Sequence, residues 1–199
     1  MIAARLALLR HGHTAWNRAG RIQGRIDEPL DEQACEHLSH LRLPEEFEGA
    51  ALFSSPLVRA VETARIVARR EPTVAPELIE MDWGRWEGRR GIDLLEDGNS
   101  GYRHIEEWGW DYQPPGGETP RSVWQRVEPW LGSVKGPAVV VSHIGIMRVL
   151  LARATGWNFE GHPPFKKVKR DRLYCVDIHD DGTLSFGNEP VRLIEAGNS

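Results

Sequence analysis

Residues 6–9 (Leu-Ala-Leu-Leu) and 139–141 (Val-Val-Val) are apolar with no polar residue in alternation. A strand with one wet face alternates, whereas a continuous apolar run suits a strand buried on both faces, the situation of a parallel strand covered by helices above and below. Residues 50–53 and, more weakly, 73–75 are runs of the same kind. Helix punctuation falls between them. Asp31 can cap a helix over about 32–42, and Ser55-Pro56 sets an N-cap and an N1 proline for a helix running to about Arg70. Thr119-Pro120 repeats that signal for a helix towards Val134, which Pro129 should kink. A further helix over about 145–155 closes on Gly156. Residues 173–178 and 183–186, joined across Asp180-Asp181-Gly182, read as a terminal antiparallel hairpin. The expected fold is an α/β three-layer sandwich. Its sheet is mixed but mostly parallel, with helices on both faces and a C-terminal antiparallel hairpin.

Composition narrows the function classes. The 199 residues fall short of the roughly 250 of a (β/α)₈ barrel. A net charge of −4 is not that of a chain that coats nucleic acid, and the basic residues Lys166, Lys167, Lys169, Arg170 and Arg172 read as a solvated loop before a strand. No apolar run approaches the roughly 18 residues of a membrane span, and Arg5 and Arg10 interrupt the N-terminal apolar stretch, so no membrane contact and a cytoplasmic location are expected. Cys35 and Cys175 are too few for a disulfide framework and read as buried free thiols of a reducing cytosol. The chain reads as one domain over 1–199, in which about 87–118 form a lid-like insertion over the active site, rich in Trp and Tyr. The same residues could instead make a satellite hydrophobic cluster under a long loop.

Two segments share one design, an apolar run, one polar residue, then histidine: Leu8-Leu9-Arg10-His11-Gly12 and Val140-Val141-Ser142-His143-Ile144-Gly145. Ligands of open α/β sheets bind outside the carboxyl ends of the strands, and both histidines would lie there. Helix initiation at Ser55 brings Arg59 to the same edge. Arg10 and Arg59 converging with His143 would form a cationic fork for a phosphoryl dianion, because guanidinium groups bind its oxygens bidentately. The helix opening after His143 would add N–H donors. The same cations would keep His11 neutral and therefore nucleophilic.

Leu8-Leu9-Arg10-His11-Gly12-His13-Thr14-Ala15-Trp16-Asn17 resembles the signature of the histidine phosphatase superfamily, which includes the cofactor-dependent phosphoglycerate mutases. Gln23-Gly24 with Asp27, Pro29 and Leu30 is similar to that family's substrate loop. Ser54-Ser55-Pro56-Leu57 with Arg59-Ala60 and Thr63-Ala64 resembles its second block, and Glu80 with Gly84 and Trp86-Glu87-Gly88 its acid-bearing segment. Pro115-Gly116-Gly117-Glu118 and Val141-Ser142-His143 match the last two blocks. The resemblance implies that His11 is the phosphorylated nucleophile, that Arg10, Arg59 and His143 clamp the phosphoryl oxygens, and that Glu80 is the proton donor. It further implies that Asn17, Gln23, Gly24 and the Ile144 backbone N–H contact phosphate or substrate. No metal and no cofactor are implied, and the partner is a small phosphorylated substrate.

Departures from the mutase pattern point to hydrolysis. Met81-Asp82-Trp83 replaces the basic, aromatic run that mutases place after the acid, and Arg89-Arg90 is too close behind Glu87-Gly88 to stand for their second-phosphate arginines. The expected activity is therefore a metal-independent phosphatase acting on small-molecule phosphate monoesters. A phosphoglycerate mutase or an α-ribazole phosphatase is the alternative, the latter on the Glu80-Met81 segment. A phosphate-ligand sensor on the same fold is the non-enzymatic alternative, although such a protein should have lost the nucleophile, an arginine or the acid. His11-Gly12-His13 also resembles the opening of a metal-dependent amidohydrolase site, against which stand the chain length, the four strand–helix units and Arg10. His13 reads as an exposed loop residue. A homo-oligomer is compatible with this sequence, which does not specify one.

Overall fold

The computed structural model describes residues 1–187 and 189–197. In chain order the elements are β1 (Ile2–Arg10), α1 (Ala15–Arg18), α2 (Glu32–Ser39), β2 (Leu41–Arg42), α3 (Glu45–Glu48), β3 (Ala51–Ser54), α4 (Val58–Ala68), β4 (Thr73–Val74), α5 (Gly91–Glu96), α6 (Pro120–Leu131), β5 (Gly136–Ser142), α7 (Ile144–Thr155), β6 (Arg172–His179), β7 (Leu184–Phe186), β8 (Val191–Arg192) and β9 (Ile194–Glu195). The main sheet runs β4-β3-β5-β1-β6-β7, with β8 also on β6. Its first four strands are mutually parallel, and β6, β7 and β8 add antiparallel pairs. β2 and β9 pair separately.

The unbroken apolar runs serve both faces of this sheet. Leu6 and Leu8 of β1, with Ala138 and Val140 of β5, pack beneath α6 and α7 against Trp124, Val127 and Leu150. Ala7, Leu9, Val139 and Val141 face the other way, onto Leu38 of α2 and Ala60 and Ala64 of α4. The expected three layers are present. The register sets Arg10 opposite Ser142 and Ser54 opposite Val141. Backbone pairing runs one residue further, since His11 N–H donates to the Ser142 carbonyl and Ser55 N–H to that of Val141, both at 3.0 Å. Three carboxyl ends of parallel strands thus lie side by side.

Most of the punctuation behaves as read. Asp31 accepts from Ala34 N–H at 2.8 Å, and Thr119 closes a capping box with Ser122 ahead of Pro120. Gly156 ends α7 in the left-handed region at φ 75°. Four details differ. The helix expected from Ser55-Pro56 starts at Val58 with Leu57 as its N-cap, and the Ser55 hydroxyl accepts from Leu57 N–H while also meeting His143. α2 stops at Ser39 because residues 41–42 pair with β9. Cys35 and Cys175 are half-buried rather than buried. The 87–118 stretch is not strandless coil alone: it contains α5, and its Tyr102 and Trp108 pack on Trp86 with ring centroids 5.0 and 6.1 Å away. No helix among the described residues is long and apolar enough to cross a membrane.

Leu8 and Leu9 are 1% and 0% exposed and point to opposite faces. Leu8→Ala and Leu9→Ala are therefore each expected to cost about 2–5 kcal/mol in urea unfolding. A near-neutral result for either would show that its face of the sheet is not a packed core.

Candidate active site

His11 follows β1 and is 3% exposed. Its Nδ1 lies 2.7 Å from the Gly12 carbonyl. A carbonyl only accepts, so Nδ1 carries the proton and Nε2 keeps its lone pair. Burial first, then His143, Arg59 and Arg10, hold the His11 pKa well below the ordinary imidazole value. The ring is a neutral base at neutral pH. His143, the N-cap of α7, is fully buried with its ring centroid 5.1 Å from that of His11. Burial and the same arginines keep it neutral too. Its Nε2 lies 2.6 Å from the Ser55 hydroxyl. That hydroxyl also accepts from Leu57 N–H, and His143 Nδ1 is a buried ring nitrogen without a partner among the described residues.

Arg59, in the first turn of α4, is 1% exposed rather than a solvated helix residue. Its two terminal nitrogens donate to the carbonyls of Gly24 at 2.6 Å and Ile26 at 2.8 Å, which aims the guanidinium beside His11. Gly24 thus acts first through its carbonyl. It sits at φ 55°, and a Cβ there would lie 1.8 Å from Glu87 Oε1. Glu87 itself accepts from Arg25 N–H and Trp83 N–H, fastening the 23–25 loop to the acid-bearing segment. Burial lowers the Arg10 pKa to about 9, and Arg170 and Arg148 push in the same direction.

Arg170 is the residue that sequence reasoning missed. Far from being a solvated loop cation, it is half-buried and donates to Asn17 Oδ1 at 3.0 Å. Arginine has only donors, so Asn17 must present its amide nitrogen to Gln23 Oε1, 2.8 Å away. Gln23 Nε2 is then left as a buried donor with no partner among the described residues. One guanidinium orients two amides in series. The sequence carried no signal for this, since Arg170 lies 153 positions from Asn17. Ser55, read only as a helix cap, and Arg148 of α7, which lines the cavity beside His11, were further omissions.

Glu80 is 4% exposed. Its carboxyl accepts from Met81 N–H at 2.7 Å and Gly145 N–H at 3.1 Å, while burial outweighs these and the arginines to raise its pKa. Gly145 is obligatory there, because a Cβ would meet Glu80 Oε1 at 2.4 Å. Arg126 of α6 holds the segment from behind, donating to the Ile79 carbonyl at 2.8 Å and pairing with Glu118 at 2.9 Å. Asp82 accepts from Gly84 N–H and faces Arg25, so neither it nor Glu87 substitutes for Glu80 in the cavity wall.

A cavity of about 190 Å³ brings together Arg10, His11, Asn17, Gln23, Gly24 and Arg59 with Glu80 and Ile144. His143 is not among its lining residues, and its ring lies beside that of His11. Cations and donors outnumber the single buried carboxyl, the balance that suits a phosphoryl dianion. The sequence profile of the histidine phosphatase superfamily (branch 1) matches residues 6–186. The chain belongs to the histidine phosphatase superfamily. An adenosylcobalamin/alpha-ribazole phosphatase of Escherichia coli is 34% identical over 187 residues, covering 88% of this chain and 90% of its own. A metal-independent phosphoserine phosphatase of Arabidopsis thaliana is 33% identical over 192 residues, covering 88% and 81%. The crystal structure of the alpha-ribazole phosphatase from Shigella flexneri superposes with a TM-score of 0.77 at 29% identity, covering 98% of this chain and 100% of that one.

Membership of this superfamily displaces the amidohydrolase reading of His11-Gly12-His13. His13 is exposed and faces a small pocket with Arg18, His37 and Arg170, away from the His11 cavity.

The raised pKa of Glu80 has a thermodynamic sign. The folded carboxyl holds its proton more tightly than the unfolded one, so stability falls as pH rises from about 4.5 through the folded pKa. Gln keeps the accepting oxygen and carries no charge. Glu80→Gln is expected to leave the melting temperature unchanged near pH 4 and to raise it at pH 8. A melting temperature lowered at pH 8 would show that the ionised carboxylate is the stabilised form.

Proposed function

We propose that this member of the superfamily is a metal-independent phosphatase that hydrolyses small-molecule phosphate monoesters through a phosphohistidine on His11. The observation that carries the reading is the tautomer. The Gly12 carbonyl fixes the proton on Nδ1, so the lone pair of Nε2 belongs to a cavity walled by cationic donors and one protonatable carboxyl. In the first step Nε2 attacks phosphorus in line, the bond to the ester oxygen breaks, and that oxygen takes the Glu80 proton. In the second, the Glu80 carboxylate takes a proton from water, whose oxygen attacks phosphorus and breaks the P–N bond. Histidine is restored and phosphate leaves. Arg10, Arg59, His143 and the Gln23 amide stabilise charge on the equatorial oxygens, a role worth several kcal/mol in a site closed to water. The resemblance supports a further contact from the Ile144 backbone.

Hydrolysis, rather than phosphate shuttling, is supported by the surroundings of Glu80. Arg89 and Arg90, the basic pair behind the acid, are spent on Asp97 and Asp93 at the surface. The relatives described above carry phosphatase names, which supports the same side. Residues 1–199 form one domain in this reading. The 87–118 stretch works as a lid in which Tyr102 closes one wall of the cavity. The protein acts in the cytoplasm, on free phosphorylated metabolites rather than on nucleic acid or membranes.

Rapid mixing with ³²P-labelled substrate followed by an alkaline quench is expected to leave label on His11, with none retained by His11→Ala. An acid-stable, alkali-labile adduct would point to a carboxyl or hydroxyl ester and overturn the mechanism. With 3-phosphoglycerate and a bisphosphoglycerate primer, phosphate release with little 2-phosphoglycerate is expected by NMR. Efficient interconversion would place the protein among the mutases.

A further inference from the structure

A second cavity, of about 450 Å³, adjoins the reaction cavity and shares Arg10, Ile144 and Arg148 with it. We propose that this second cavity is the leaving-group subsite, shaped for an alcohol with an apolar, ring-sized body that ends in an anionic group. The proposal rests on the phosphatase reading and adds the substrate class to it.

Volume divides the labour between the two spaces. The reaction cavity is smaller than the roughly 300–1,000 Å³ in which proteins enclose drug-sized ligands, whereas the second cavity falls within that range. A phosphoryl group fills the first, and the body of a larger alcohol extends into the second past Ile144. Ile105, Trp157, Phe165 and Val168 make the walls apolar. A ring placed there is removed from water on several sides.

The anionic end follows from charge. The wall carries Arg148 and Lys167 against one carboxylate, Glu106, which faces His162 at 3.5 Å. Arg148 projects from α7 and is half-buried, yet its side chain makes no hydrogen bond or ion pair with any described residue. Burying a guanidinium without a partner is unfavourable, and a carboxylate or phosphate on the ligand would relieve it.

The walls are pre-formed rather than loose. Phe159 is held at φ 63°, a region that side-chain-bearing residues avoid. It is trapped between Trp157 and Trp110, with ring centroids 4.5 and 5.1 Å away. Its carbonyl accepts from Trp108 N–H at 3.0 Å, Gly161 N–H donates to the Glu106 carbonyl at 2.8 Å, and the Trp157 indole donates to the Glu160 and Gly161 carbonyls. These bonds tie the turn after α7 to the 105–110 stretch and hold the space open.

Three phosphate esters with the same primary alkyl oxygen test the subsite on the intact protein: propyl phosphate, 3-phenylpropyl phosphate, and the latter with a para-carboxylate on the ring. Equal chemistry at the ester oxygen isolates recognition of the body. The ring is expected to raise kcat/KM roughly ten- to hundredfold over propyl phosphate, and the carboxylate to add about tenfold. Phe165→Ala is expected to shrink the phenyl-to-propyl ratio. Arg148→Met is expected to bring the carboxylate-to-phenyl ratio to about 1. Similar kcat/KM for the three esters, or an Arg148→Met loss shared equally by all of them, would overturn the subsite, the latter assigning Arg148 to the phosphoryl group. Neither result touches the mechanism, which is read separately as phosphohistidine on His11 with propyl phosphate. Absence of that adduct with every ester would overturn both.

Discussion

The parallel pairing of β1 with β5 is the constraint on which the rest of this protein depends. Arg10 lies opposite Ser142, so His11 and His143 leave the sheet together, one residue beyond their strands. A slip of one residue would turn every side chain of β1 to the other face. Leu6 and Leu8 would exchange environments with Ala7 and Leu9, and the helices packed on each face would meet the wrong volumes. The cores therefore protect the register, and the register places the histidines. β3 extends the same edge and brings Ser55 to His143 and Arg59 to His11.

What is assembled at that edge works against stability. Two buried neutral histidines, the buried Arg59 and half-buried Arg10 guanidiniums, and a buried carboxyl with a raised pKa crowd together there. Such crowding is tolerated where binding and chemistry require it and where neighbouring structure over-determines the geometry. Here the over-determination is visible. Arg59 is held by two carbonyls, Glu80 by two backbone N–H groups, and the segment that carries Glu80 by Arg126 from behind. Each lock comes from a different stretch of chain, so the site exists only when the whole fold does.

Much of this was legible one segment at a time. Apolar runs without alternation announced strands buried on both faces, because no wet face needed polar residues. Asp31, Thr119-Pro120 and Gly156 marked helix ends because capping is chemistry between close neighbours in sequence. Arg10, His11, Arg59, Glu80 and His143 stood out through motif resemblance and strand-end position. Arg170 did not, since among Lys166, Lys167 and Lys169 it looks like one more solvated cation. Its partner Asn17 belongs to the opposite end of the chain. Ser55 was read incompletely for a related reason: a serine before proline has an adequate local explanation in its bond from Leu57 N–H, and only the fold adds His143 as a second partner.

The sequence by itself therefore determined the layers of the sheet, the helix ends marked by Asp31, Thr119-Pro120 and Gly156, and the residue types at the strand ends, because burial period and capping are local. Tertiary structure alone decided which end of the Gln23 amide is free, which nitrogen of His11 is bare and which arginines lie beside it. It also decided that Trp157, Phe165 and Arg148 line one space next to the reacting groups. Those choices depend on distances between residues remote in sequence, and such distances exist only after the chain has closed on itself.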